Sequence, residues 1–200
     1  MTDLTTPVSP YINTTLVTPI MLHPNQMDNK IYIHLKKNIN EKLVGRCYLN
    51  YGYITKIFKI EDMTEGVIEP EDPSSSAKII VKFSCRLCNP FKNKYLICKI
   101  DRMNKALIGA INGPIIVIIT PENINEQKFF KDSERNIRYK KDTKMIEPND
   151  YVKVYILQST FGNYDKTIIC FGNLFDLATK DEIDFYLKDN VNAEISTEND

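Results

Sequence analysis

A mostly β, α+β fold in two successive units is predicted for this chain, with one helix near its start. Three observations carry that prediction. Most apolar runs alternate in steps of two, a single stretch repeats in steps of four, and after Asn89-Pro90-Phe91 the runs become shorter. Steps of two mark strands with one buried face, and steps of four mark one stripe on a helix.

Residues 1–14 are rich in Thr, Ser and Pro without periodicity and are expected to be loose. "LVTPIML" reads as a short strand, and Pro19 within it points to a sheet edge. Asp28 is the expected N-cap of a helix over about 28–43, whose stripe is Ile31, Leu35, Ile39 and Leu43. That stripe needs a sheet to cover it. "VGRCYLNYGYITKIFKI" supplies a long alternating strand with Gly52 as a bulge or bend, "GVIEP" a short strand, and "AKIIVKFSCRLC" another beyond the turn residues "EDPSSS". These elements make one α+β unit over 15–89.

"NPF" restarts the chain in extended form. "KYLICKIDRM", "ALIGAI", "PIIVIITP", "YVKVYILQST" and "KTIICFGNLF" then read as five strands, with a turn at Asn112-Gly113, a long irregular basic connection after the third, and a hairpin at "TFGNYD". Five strands in this order fit a Greek-key barrel of the OB type over 90–178. Residues 179–200 form an acidic tail, polar and expected to be disordered at "DNVNAEISTEND".

Composition bounds the function classes. The chain is 42% hydrophobic and 10% aromatic, as a folded globular chain should be. No run approaches the roughly 18 apolar residues of a membrane helix, and the start carries no basic cluster or apolar signal core, so a soluble chain without a signal peptide is expected. Five cysteines without an even spacing pattern fit reduced thiols in an intracellular compartment.

Formal net charge is zero, yet the charges are segregated. From Asp176 to Asp200 eight acids face two lysines. Lys78–Lys105 holds eight basic residues and one acid, and Lys128–Lys144 holds seven against three. Interleaved with Phe83, Phe91, Tyr95 and Tyr139, these bases could follow a nucleic-acid backbone; solvated strand faces account for them equally well.

Chemical motifs are sparse. Cys85 and Cys88 have zinc-knuckle spacing, but a structural zinc site needs four ligands and no second pair appears, so buried thiols are expected. His23 and His34 are the only histidines, and neither has a sequence neighbour suited to acid–base work. A phosphate loop and an Asp-rich metal motif are both missing from the sequence. No catalytic residue, cofactor or metal is assigned.

Six stretches in collinear order resemble one family: "PIMLHP", "VGRCYLNYGYI", "EGVIEP", "RLCNPFKNKYLICKI", "MNKALIGAINGP" and "EPNDYVKVYIL". Together they span roughly residues 16–178 and resemble the stalk subunit of multisubunit DNA-directed RNA polymerases, the seventh subunit of eukaryotic RNA polymerase II and its archaeal counterpart. The resemblance implies an N-terminal ribonucleoprotein-like tip domain and a C-terminal S1-type OB barrel. It implies a noncatalytic subunit whose tip docks between the polymerase core and its clamp, and whose barrel lies near the RNA exit.

Core docking would fall to Tyr51, Gly52, Thr64, Gly66, Val67, Ile68 and Pro70, with Thr64–Pro70 as the inserted loop. Lys94, Lys99, Arg102 and Lys105 would be the residues facing nascent RNA. Implied partners are the large subunits and clamp, a small helical stalk partner, and RNA held weakly. The family's first tip glycine is Thr64 here, and its barrel aromatic is Gly109, which leaves RNA binding mainly electrostatic. A large-DNA-virus polymerase fits as readily as a cellular one, which places the chain in virus factories or particles, or in the nucleus. The alternative is a freestanding S1-type RNA-binding protein acting in translation or RNA decay.

Overall fold

The computed structural model describes residues 6–71, 73–104, 106–131 and 137–194. In chain order the first unit holds β1 (Tyr11–Leu22), a 3-10 turn (Pro24–Gln26), α1 (Ile31–Leu43), β2 (Arg46–Tyr48), β3 (Gly52–Met63), β4 (Val67–Ile68) and β5 (Ala77–Cys88). Its antiparallel sheet runs β1-β5-β3-β2, and β4 joins β5 beyond the end of β3. β5 is central because it is the longest alternating run, with every second residue from Ala77 to Cys85 buried. Leu35, Ile39 and Leu43 of α1 are fully buried against Ile20, Ile54, Ile79, Val81 and Phe83 on one face of this sheet.

Several expectations need correction. The helix starts at Ile31 with Lys30 as its N-cap; Asp28 stands outside it, where its carboxylate accepts the Lys30 N–H at 2.8 Å and lies 3.3 Å from His34 Nε2. Gly52 does not bend a strand. Tyr48 pairs with Gly52, so the expected single strand is a β2–β3 hairpin turning through residues 49–51, with Leu49 at φ +47°.

The first strand begins at Tyr11, because β5 pairs with β1 along its whole length, from Tyr11 opposite Cys88 to Leu22 opposite Ala77. Polar residues 13–15 are therefore in the sheet through backbone pairing, and Val8 N–H donates to the Tyr95 carbonyl at 2.9 Å. Residues 1–5 lie outside the described residues.

The second unit follows with β6 (Tyr95–Met103), β7 (Ile108–Asn112), β8 (Ile115–Ile119), a 3-10 turn (Pro121–Asn123), β9 (Phe129–Lys131), β10 (Ile137–Tyr139), β11 (Tyr151–Thr160), β12 (Ile168–Leu177) and α2 (Lys180–Glu194). Five strands close into a barrel in the order β6-β7-β8-β12-β11, antiparallel throughout except for β8 beside β12. That order is the five-stranded Greek-key barrel expected.

Two stretches are more regular than their sequences suggest. The basic connection contains the β9–β10 ribbon, and the acidic tail forms α2 through residue 194; 195–200 lie outside the described residues. No described helix is long and apolar enough to cross a membrane.

The barrel core takes in Tyr11, Cys47 and Cys88 from the first unit, so one apolar cluster runs across the junction. Backbone bonds continue it: Cys47 N–H donates to Asp165 O at 2.7 Å and Tyr164 N–H to Cys47 O at 2.8 Å.

Candidate docking and nucleic-acid surfaces

The loop from Thr64 to Pro70 is tied to β5 at Thr64 and through the pairing of Val67 and Ile68. Thr64 N–H donates to Ile80 O at 3.0 Å, and Ile80 N–H donates to Thr64 Oγ1 at 3.1 Å. A Cβ on Gly66 would sit 3.2 Å from Ala77 Cβ and 3.4 Å from Ile79 Cγ1, so the missing side chain lets the loop lie close on β5. Val67 and Ile68 follow, 62% and 51% exposed.

Residues paired across a sheet share a face. Val67 therefore lies in one row with Lys78 and Met21, and the neighbouring rows hold Ile80 with Pro19, and Lys82 with Val17. Val17, Met21 and Ile80 are all exposed. The end of the face opposite α1 thus gathers exposed apolar residues around the lysines of β5, with Lys78 lying between Val67 and Met21 and 3.8 Å from Glu69.

Tyr51 and Gly52 are not part of that patch. Tyr53 pairs with Cys88 and Val67 with Lys78, ten residues apart on β5, which is about 33 Å of strand. Tyr51 is exposed, stacks on Tyr48 with ring centroids 6.1 Å apart, and accepts a bond from Asn89 Nδ2 at 2.9 Å through its carbonyl. It belongs to the junction between the units.

The basic candidates are also dispersed. Lys94 is exposed just before β6, Lys99 is half-buried on its outward face, and Arg102 is exposed near its end with Nε 3.3 Å from Asp101 Oδ2. Eight residues separate Lys94 from Arg102, about 26 Å of strand. A register shift between Ile100 and Arg102 sets Arg102 opposite Gly109. Lys105 lies outside the described residues.

Sequence reasoning did not single out Phe129 and Phe130 of the β9–β10 ribbon. Phe129 is buried with its ring 5.4 Å from that of Tyr139, while Phe130 is 36% exposed. The Tyr139 hydroxyl donates to Asp176 Oδ1 at 3.0 Å, and its pKa is raised by desolvation and by that bond. The doubled phenylalanine in a basic stretch was the available signal.

The thiols are core groups. Cys85 points into the core under α1 and Cys88 into the barrel core, so the pair at zinc-knuckle spacing is divided between two clusters. Burial pushes Cys47 and Cys85 up to about 11 and Cys170 to about 12, and raises Cys88 and Cys98 further. Among the described residues no three His, Cys, Asp or Glu side chains gather as a metal site would require.

Residues 20–73 match the family model for the SHS2 domain found in the N terminus of Rpb7p/Rpc25p/MJ0397. A protein of Acanthamoeba polyphaga mimivirus, named as a DNA-directed RNA polymerase subunit, is 34% identical over 191 residues, which is 94% of this chain and 95% of the relative. The chain belongs to the Rpb7-type family of RNA polymerase stalk subunits.

For this Rpb7-type chain, the SHS2 match runs from within β1 through α1, β2, β3 and β4 and ends at residue 73, so it contains the Thr64–Pro70 loop. The full-length relative extends the likeness across the barrel. Both units therefore belong to one transcription-related protein, and the viral relative fits a divergent viral version.

Proposed function

We propose that this chain is the noncatalytic stalk subunit of a viral multisubunit RNA polymerase, acting in virus factories or particles. Its tip loop, Thr64–Pro70, docks between the core and the clamp against the large subunits. The barrel stands near the RNA exit, contacts the transcript weakly, and leaves room for a small helical stalk partner.

The observation that carries this reading is exposed Val67 at the end of the helix-free face, in the same end region as exposed Met21, Ile80 and Val17, with Ile68 exposed on the other side of the same short strand. Exposed aliphatic residues gathered at one end of a sheet gain most when a partner covers them. The loop beneath them is fixed by the Thr64 bonds, so little ordering cost accompanies docking.

The test is co-purification of tagged chain with the two largest polymerase subunits from infected cells. Val67→Asp with Ile68→Asp should reduce recovery at least tenfold, while the melting midpoint of the isolated chain stays unchanged because both side chains are exposed. Wild-type recovery by the double variant would remove the docking assignment.

A further inference from the structure

We propose that single-stranded RNA is gripped by a two-part groove between the β6–β7 turn and the β9–β10 ribbon, with Lys131 and Lys140 on its phosphates and Phe130 under a base. This rests on the reading of the barrel as the unit that meets the transcript, and it moves the contact away from Lys94 and Lys99.

The first part, about 260 Å³, is bounded by Asn104 and Leu107 of the β6–β7 turn, by Pro121 and Ile124, and by Lys131. The second, about 350 Å³, shares Pro121, Ile124 and Lys131 and continues past Phe130 to Lys140. Three shared residues make the two parts one path around the 3-10 turn at Pro121–Asn123. Exposed Leu107 and Phe130 flank Lys131 along it.

Among the described lining residues the net charge on this path is positive. Lys131 Nζ donates to the Pro121 carbonyl at 3.3 Å and Lys140 Nζ to the Glu126 carbonyl at 2.6 Å. Carbonyls are uncharged, so these contacts leave both positive charges in place, and each ammonium has three hydrogens to donate. Glu126 is the single acid among the second groove's described lining residues. Lysines held at fixed points by backbone carbonyls beside an exposed aromatic ring combine the two features by which single strands are bound without sequence preference.

Two neighbouring lysines are spoken for: Lys128 pairs with Asp176, and Lys144 with Asp150 at 2.7 Å. Beside Lys94, the pocket amounts to about 10 Å³ and lies apart from Phe130.

Full-length chain is titrated against a short fluorescein-labelled oligouridine by anisotropy over a range of salt. Lys131→Glu with Lys140→Glu should weaken binding at least tenfold at low salt. The milder Lys131→Ala with Lys140→Ala should lower the slope of log affinity against log salt by about 1.4, two phosphate contacts at about 0.7 each. Phe130→Ala should weaken binding about 5- to 150-fold, the range for one stacked base. Lys94→Glu with Lys99→Glu should change neither quantity.

The proposal is overturned if only the Lys94 and Lys99 variant weakens binding, if no variant does, or if the wild-type chain leaves oligouridine free. It is overturned too if the ribbon variants lose the large subunits in co-purification while binding RNA normally, since the groove would then be a protein contact. Co-purification of the wild-type chain reports on the stalk assignment by itself, so the two ideas fail separately.

Discussion

An alanine at position 52 would place its Cβ 2.5 Å from the Cys88 carbonyl oxygen, at a backbone φ of +135° that L side chains avoid. The β2–β3 hairpin lies so close to the end of β5 that only a hydrogen fits. Gly52→Ala should therefore cost at least the roughly 1–3 kcal/mol of a strained backbone position, lowering the midpoint by about 2–4 °C per kcal/mol for a chain of this size. Calorimetry on the isolated chain checks it; an unchanged midpoint would mean that the hairpin can move off β5. The thiols give a second residue-level expectation. Burial raises Cys47 and Cys85 from 9.0 to about 11 and Cys170 to about 12, while the same thiols in the unfolded chain ionise near their ordinary value. Below pH about 9 both states hold these protons and stability is at its full value; above it the unfolded chain loses them first. Stability should thus fall as pH rises from about 9 toward 12, read as a falling urea midpoint. Replacing Cys47 and Cys170 with alanine should flatten that fall, and an equally steep fall in the variant would assign it to other groups.

At the level of elements, the outer edge of β1 shows how a twelve-residue edge strand is kept from pairing with another chain. Tyr48 Oη donates to the Val17 carbonyl at 3.1 Å, Lys42 Nζ to that of Pro19 at 2.9 Å, and Asn38 Nδ2 to that of Met21 at 3.2 Å. Two of these donors come from α1, so the helix covers the sheet face with its apolar stripe and reaches over the edge with its flank. The stripe was legible in the sequence because four apolar residues at a spacing of four fit no other regular element, and the barrel strands because each alternating run ends at a turn signal. The β2–β3 hairpin was not. Its turn puts Leu49 at φ +47°, a conformation no composition rule assigns to leucine, and a bond from Leu49 N–H to Asn163 Oδ1 at 3.0 Å holds it against the barrel. Helix α2 escaped notice for a related reason: its sequence is acidic and only weakly patterned, and its partners lie far away in the chain. The Thr64–Pro70 loop was singled out through family words alone, and the structure adds the exposed apolar residues of β1 and β5 near Val67. The groove proposed for RNA could not be read, since Leu107, Pro121 and Phe130 come near one another only in the folded chain.

Across the whole molecule, folding brings part of the segregated charge of the sequence together. Asp176 pairs with Lys128, Glu182 with Lys153, and Asp189 with Arg86, so three acids of the C-terminal segment meet bases from the ribbon, the barrel and the tip sheet. The Arg86 contact bridges the two units. Its Nη2 lies 3.3 Å from Asp189 Oδ1, both side chains are under 20% exposed, and the guanidinium sits 4.8 Å over the Tyr11 ring. Beside it the Tyr11 hydroxyl donates to Asn190 Oδ1 at 2.9 Å. This joint, together with the shared core, ties the two units to each other. Removing one member of a buried pair leaves the other charge uncompensated, at a cost approaching about 3–5 kcal/mol when burial is complete. Asp189→Ala and Arg86→Ala should each lower the unfolding midpoint, Arg86→Ala by more because it also strips a cation from the Tyr11 ring. The double variant should lose clearly less than the two single losses added together, the mark of two groups acting on each other. Small-angle scattering of either single variant should show a broader range of overall dimensions than the wild type. Strict additivity with unchanged scattering would locate the rigidity in the shared apolar core around Tyr11, Cys47 and Cys88, with the ion pair a bystander.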